Sequence, residues 1–159
     1  MKFLMPSVLV AALALPSTLH AQGKPDFSGT WKMDPSRSES AVQNDPIGPV
    51  TLVISQTHTD VRIETTRAQK TSVVTYKLDG SEIKIPGGTA KTHWDGPTLV
   101  TEAVRDVQGQ TVTTKETRRL NPDGNEMLVE TMLVVQHGYS LRGTPNYGTG
   151  KDVYTKLHP

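Results

Sequence analysis

Residues 71–100 read TSVVTYKLDGSEIKIPGGTAKTHWDGPTLV, and the punctuation of this stretch decides the fold. Asp79-Gly80, Gly87-Gly88 and Asp95-Gly96 cut it into short runs, each cut made of residue types that tolerate positive φ or preset a turn. Within the runs the apolar residues recur at every second position: Val74, Tyr76 and Leu78 share one face, as do Ile83 and Ile85. That period belongs to a half-buried β-strand. Turns this tight join antiparallel neighbours, because a parallel pairing needs a crossover of a dozen or more residues.

The same grammar continues in both directions. Gln108-Gly109 and Pro122-Asp123-Gly124-Asn125 supply further turns, and Val50, Leu52, Ile54, then Val61, Ile63, and later Val129, Thr131, Leu133, Val135 repeat the alternation. The spacing predicts strands near 28–33, 50–57, 60–66, 71–78, 81–86, 89–94, 98–107, 110–120, 126–136 and 151–157. The expected fold is all-β, an antiparallel up-and-down meander of about 8–10 strands. A sheet of that length avoids an open, aggregation-prone edge most simply by closing on itself, so a barrel is expected. Two segments interrupt the pattern. Residues 34–49 carry Pro35, Pro46, Gly48 and Pro49 among polar residues and read as a long loop with room for a helical turn. Residues 138–150, with four glycines, read as a flexible or ligand-touching loop before the final strand.

The ends bound the compartment. Met1-Lys2, an apolar run from Phe3 to Leu15 and the small Ala21 before Gln22 read as a secretory signal peptide spanning 1–21. The run is shorter than the roughly 20 apolar residues of a membrane-spanning helix. A domain of residues 22–159 is then expected in the periplasm or outside the cell, without a membrane anchor. The chain has 17 Lys+Arg and 16 Asp+Glu; setting Lys2 aside leaves 16 of each. A chain without a net positive field has no bulk attraction to phosphate, which excludes nucleic acid as an expected partner. There are no cysteines, so disulfides, thiol nucleophiles and thiolate metal sites are all excluded.

Phe27-Ser28-Gly29-Thr30-Trp31-Lys32-Met33 opens the series of strands. Gly29-Thr30-Trp31 resembles the Gly-x-Trp opening of the lipocalin-like (calycin-type) β-barrels, and the wider opening is similar to that of small secreted bacterial proteins of undescribed function. The resemblance implies that Trp31 plugs the closed end of a barrel while Gly29 lets the backbone pack closely. It also implies a basic residue on the last strand lying over Trp31, for which Lys151 and Lys156 are the candidates. Trp94 stands beside a turn, as a second plug or a mouth residue.

Strand 110–120 is unusual because neither face is apolar. If Val112 and Leu120 point inward, Glu116 and Arg118 go with them, to meet a polar ligand group or each other; on a solvated strand the same charges would be exposed cross-strand pairs. Of Glu102 and Arg105, on opposite parities, at most one joins that inner set. The candidate ligand-binding residues are therefore Leu52, Ile54, Ile63, Tyr76, Glu116, Arg118, Thr131 and Leu133. His58, His93, His137 and His158 have no metal-ligand spacing, no Gly-x-Ser-x-Gly elbow is present, and no catalytic residue, metal or cofactor is assigned. The expected function is an exported barrel holding a small, largely apolar molecule. A cofactor-free isomerase, cyclase or hydratase, and a solid structural or interaction barrel, remain the alternatives.

Overall fold

The computed structural model describes residues 23–39, 41, 48–136 and 146–158; the expected signal peptide lies outside them. Ten strands follow one another: β1 (Gly29–Met33), β2 (Val50–Gln56), β3 (Asp60–Arg67), β4 (Lys70–Lys77), β5 (Asp79–Ile85), β6 (Gly88–Asp95), β7 (Thr98–Val107), β8 (Gln110–Leu120), β9 (Glu126–Gln136) and β10 (Asn146–Leu157). All pair antiparallel in the order β4-β3-β2-β1-β10-β9-β8-β7-β6-β5. Pairing of the first strand with the last, Trp31 opposite Lys156, rolls the meander into a nearly closed barrel, with β4 and β5 adjacent but not hydrogen-bonded.

The final strand is longer than the expected 151–157 and takes in part of the glycine-rich segment. Gly148 and Gly150 pair with Leu133 and Thr131 in the β9–β10 ladder. Their lack of side chains serves a close approach. A Cβ on Gly148 would sit 2.1 Å from the carbonyl oxygen of Ala41, and one on Gly150 2.6 Å from the Ala41 amide nitrogen. The segment after β1 thus crosses directly over β10, helped by paired backbone bonds between Glu39 and Lys151. Before that crossing, Pro35–Arg37 forms a single 3-10 turn capped by the Asp34 side chain, which accepts from the Ser36 N–H. The rest of the expected loops, 42–47 and 137–145, lies outside the described residues.

Burial follows the alternation. Near one end of the barrel Phe27, Trp31, Ile54, Val61, Leu78, Leu99 and Met127 form a dry core. Trp31 is fully buried; its indole N–H donates to the Phe27 carbonyl at 2.9 Å, so the ring enters the core with its polar atom satisfied. Lys156 lies over the ring, its ammonium 5.3 Å from the centroid, whereas Lys151 faces away and is exposed. Trp94 belongs to this same end, half-buried, with its ring 6.0 Å from Phe27 and the Lys24 ammonium 5.6 Å above it. Gln56 ties the N-terminal segment down by accepting from the Phe27 N–H and donating to the Pro25 carbonyl.

Candidate functional site

Above the dry core the interior changes character. The β7–β8–β9 register places Leu99, Arg118 and Val129 side by side, then Thr101, Glu116 and Thr131 one step toward the other end. With the parity fixed by buried Leu99 and Met127, Glu116 and Arg118 turn into the barrel. Arg118 is only 6% exposed. Its Nη1 donates to Thr101 Oγ1 at 3.2 Å, and Thr101 shares a second hydrogen bond with Thr92. Nη2 pairs with the Glu116 carboxylate. Nε is buried without a partner.

These groups border an internal cavity of about 220 Å³. One part of its wall is apolar, from Val50, Leu52, Ile63, Val74 and Val129; the rest is charged or hydroxylic, from Arg67, Arg105, Arg118, Glu116, Asp152, Thr65, Ser72, Tyr76 and Tyr154. Three guanidiniums therefore face two carboxylates. Burial pushes the Asp152 carboxyl above its usual range; Arg67 draws it back down and Glu116 pushes it further up. Burial likewise raises the phenols of Tyr76 and, more strongly, Tyr154, so both are neutral hydroxyls at physiological pH. Desolvation strengthens electrostatic interactions in such a space, and it makes a cation without a partner costly.

Of the residues singled out from sequence, Leu52, Ile63, Tyr76, Glu116 and Arg118 meet at this cavity. Ile54 lies in the dry core next to Trp31's end of the barrel. Thr131 and Leu133 share the inward parity and stand opposite Gly150 and Gly148; neither lines the cavity, and Thr131 borders a separate depression beside Glu39, Glu130 and Lys151. Arg105 faces inward while Glu102 is exposed and pairs with Lys115 on the outside. Arg67, Arg105, Asp152 and Tyr154 also line the cavity and are not among the expected ligand-binding residues. A signal was available in parity alone: Arg67 keeps step with Val61 and Ile63, and Asp152 with Tyr154. His58 and His158 are exposed, His93 is half-buried, and His137 lies outside the described residues. Among the described residues no group of three or more His, Asp or Glu side chains is arranged to hold a metal. A larger depression of about 510 Å³ lies on the outer surface of β8–β10, among Lys115, Glu130, Met132 and Lys151; these are outward-facing side chains exposed to solvent.

No protein-family model and no curated protein sequence matches the chain. Solved structures do. A crystal structure of a point mutant of the fluorescent protein UnaG superposes with a TM-score of 0.56 at 17% identity, covering 84% of this chain and 97% of that one. The fatty acid transporter REP1-NXSQ gives a TM-score of 0.57 at 13% identity over the same shares, 84% and 97%. The fold is an antiparallel β-barrel of the architecture these two proteins have. At these identities the likeness carries the architecture, and the chemistry has to come from the cavity of this chain.

Proposed function

We propose that this protein is an exported carrier barrel that holds a small amphipathic molecule, with an apolar body against Leu52, Ile63, Val74 and Val129 and an anionic end at the arginines. The observation that supports this most directly is the cavity's charge imbalance: Arg67, Arg105 and Arg118 against Glu116 and Asp152, with Arg118 Nε buried and unpartnered. An anion supplies the acceptor that the protein itself withholds, and Arg is the side chain best shaped to clamp a carboxylate, sulfonate or phosphate. The two neutral tyrosine hydroxyls add donors of fixed position. A cavity of about 220 Å³ falls below the roughly 300–1,000 Å³ of drug-sized sites, so the ligand is small or inserts only one end. The fatty acid transporter among the structural neighbours is a barrel of this architecture, and a fatty acid has that amphipathic form. The expected signal peptide at 1–21 supports the export part of the reading.

The test is calorimetric titration of the purified protein with three eight-carbon probes that differ only in head group: octanesulfonate, octanol and octylammonium. The sulfonate is expected to bind at least about tenfold more tightly than the other two, and Arg105→Gln to remove most of that preference. Equal affinity for octanol and octanesulfonate would leave the arginines without a ligand role. Amino-terminal sequencing of protein recovered from its native host tests export, with Gln22 expected as the first residue.

A further inference from the structure

Every neighbouring pair in the sheet order is joined by a ladder, and the order ends on β4 and β5. These two strands are consecutive, linked through Leu78, which is buried and whose N–H donates to the Thr59 carbonyl at 2.9 Å. The seam is therefore fastened at the dry end of the barrel and carries no backbone bond beyond it. Two residues on its β3–β4 side, Arg67 and Ser72, line the cavity and are nonetheless exposed to solvent. The cavity reaches the surface there. On the far side of the barrel, β1 and β10 occupy the middle of the order, and their flank is crossed by backbone at Ala41 seated over Gly148 and Gly150.

Four basic residues near the seam lack an ion pair, as do the exposed Lys32 and Lys151 elsewhere among the described residues. On the outer surface Arg62, Lys77, Lys91, Lys115 and Arg119 each have an acidic partner. Arg67 and Lys70, opposite one another across the β3–β4 ladder, and Lys84 and Arg105 on the β5–β7 side, make no ion pair among the described residues. Of the acids nearby, Glu82 pairs with Lys91 and Glu116 and Asp152 lie inside the cavity; Asp106 accepts the Gly109 N–H and has no basic partner among the described residues.

We propose that the unladdered seam between β4 and β5 is the portal of the cavity, and that Lys70 and Lys84 steer anionic ligands through it to Arg67 and Arg105. This rests on the anion-binding reading above. A net excess of positive charge at the mouth of a low-dielectric cleft accelerates encounter with anions and is screened by salt. Neither Lys70 nor Lys84 lines the cavity, so they act on the association rate and leave the bound state nearly unchanged.

The experiment is NMR line-shape titration with octanesulfonate, which returns association and dissociation rates together. In the Lys70→Glu/Lys84→Glu variant the association rate at low salt is expected to fall about tenfold or more, with dissociation changed less than about threefold and the defect largely gone at about 0.5 M salt. The matched control, Lys32→Glu/Lys151→Glu, makes the same change in net charge at two exposed, unpaired lysines on β1 and β10, and its association rate is expected to stay close to wild type. Equal slowing in both variants, or no slowing in the seam variant while equilibrium binding persists, overturns the portal and leaves the anion site standing. Absence of octanesulfonate binding in the wild-type protein overturns both.

Discussion

Replacing Arg118 by Met tests whether Glu116 and Arg118 act as one buried unit. The guanidinium is 6% exposed and donates to Thr101 and Glu116. Losing a hydrogen bond from a charged donor costs about 1.5–3 kcal/mol, and Glu116 is left without its cation. Two effects reduce the loss. The Glu116 side chain keeps 35% exposure and can rehydrate, and removing Arg118 also removes the unpartnered Nε, whose burial costs about 1–3 kcal/mol. The expected net destabilisation of Arg118→Met is therefore about 1–2 kcal/mol, seen as a melting temperature lower by roughly 4–10 °C. In Glu116→Gln/Arg118→Met neither charge remains, and stability is expected to return to within about 1 kcal/mol of wild type. Denaturant unfolding of the four proteins of the cycle gives a coupling of about 1–2 kcal/mol. A coupling indistinguishable from zero, with the double variant losing the sum of the two singles, would show that the carboxylate and guanidinium are independently solvated and that the charged interior has been misread.

Three further outcomes follow from the same geometry. Trp31→Phe is expected to cost about 2–4 kcal/mol in chemical denaturation, from lost core volume and an orphaned Phe27 carbonyl; a loss under about 0.5 kcal/mol would mean the indole is not in the core. Gly148→Ala forces a Cβ against the Ala41 carbonyl oxygen, so limited proteolysis near residues 39–41 should speed up several-fold, while Gly23→Ala, with open space around it, leaves the digestion pattern unchanged. Asp152 has a carboxyl raised above its ordinary 3.8 by burial, so the fold takes up its proton more readily than the unfolded chain. Its contribution to stability is thus greatest at low pH and declines as pH rises from 3.8 through the raised value. Octanesulfonate keeps its charge throughout and should bind more tightly below that window, where Asp152 is neutral. Asp152→Asn should tighten binding at neutral pH by about three- to tenfold and flatten the profile; identical profiles for variant and wild type would remove Asp152 from the site.

The strands were legible because glycine turns and period-2 alternation are local signals. β5 to β9 begin and end within two residues of the expected positions. The β3–β4 turn carried no such mark: Ala68 and Gln69 adopt positive φ without being glycine or asparagine, so tertiary pairing of Arg67 with Lys70 overrides local preference there. The start of β10 was missed for a related reason. Glycines at 148 and 150 suggest a loop when read alone, and only the crossing at Ala41 shows that they are needed inside a ladder. For the site, Leu52, Ile63, Tyr76, Glu116 and Arg118 were visible because they alternate with apolar neighbours. Arg67 closes β3 and Asp152 stands at the start of the expected 151–157 strand, places where a charged residue is ordinarily read as solvated, and for Arg105 parity left the choice with Glu102 open.

The division of the interior explains how this chain tolerates that charge. Several strands spend one part of their inward face on the dry core around Trp31 and the next part on the cavity; on β8 the change comes between Leu120 and Arg118, on β3 between Val61 and Ile63, and on β10 between Lys156 and Tyr154. Closure by nine-tenths-buried side chains at one end holds the register, so the other half can keep three guanidiniums in excess over two carboxylates without fraying. A barrel built only for stability would replace Arg118, with its unpartnered Nε, by an aliphatic side chain, since a fully apolar interior is at least as stable as a half-satisfied polar one. Local departures from the stabilising choice concentrate where a protein does its work. Here they fall around one cavity, on β3, β7, β8 and β10.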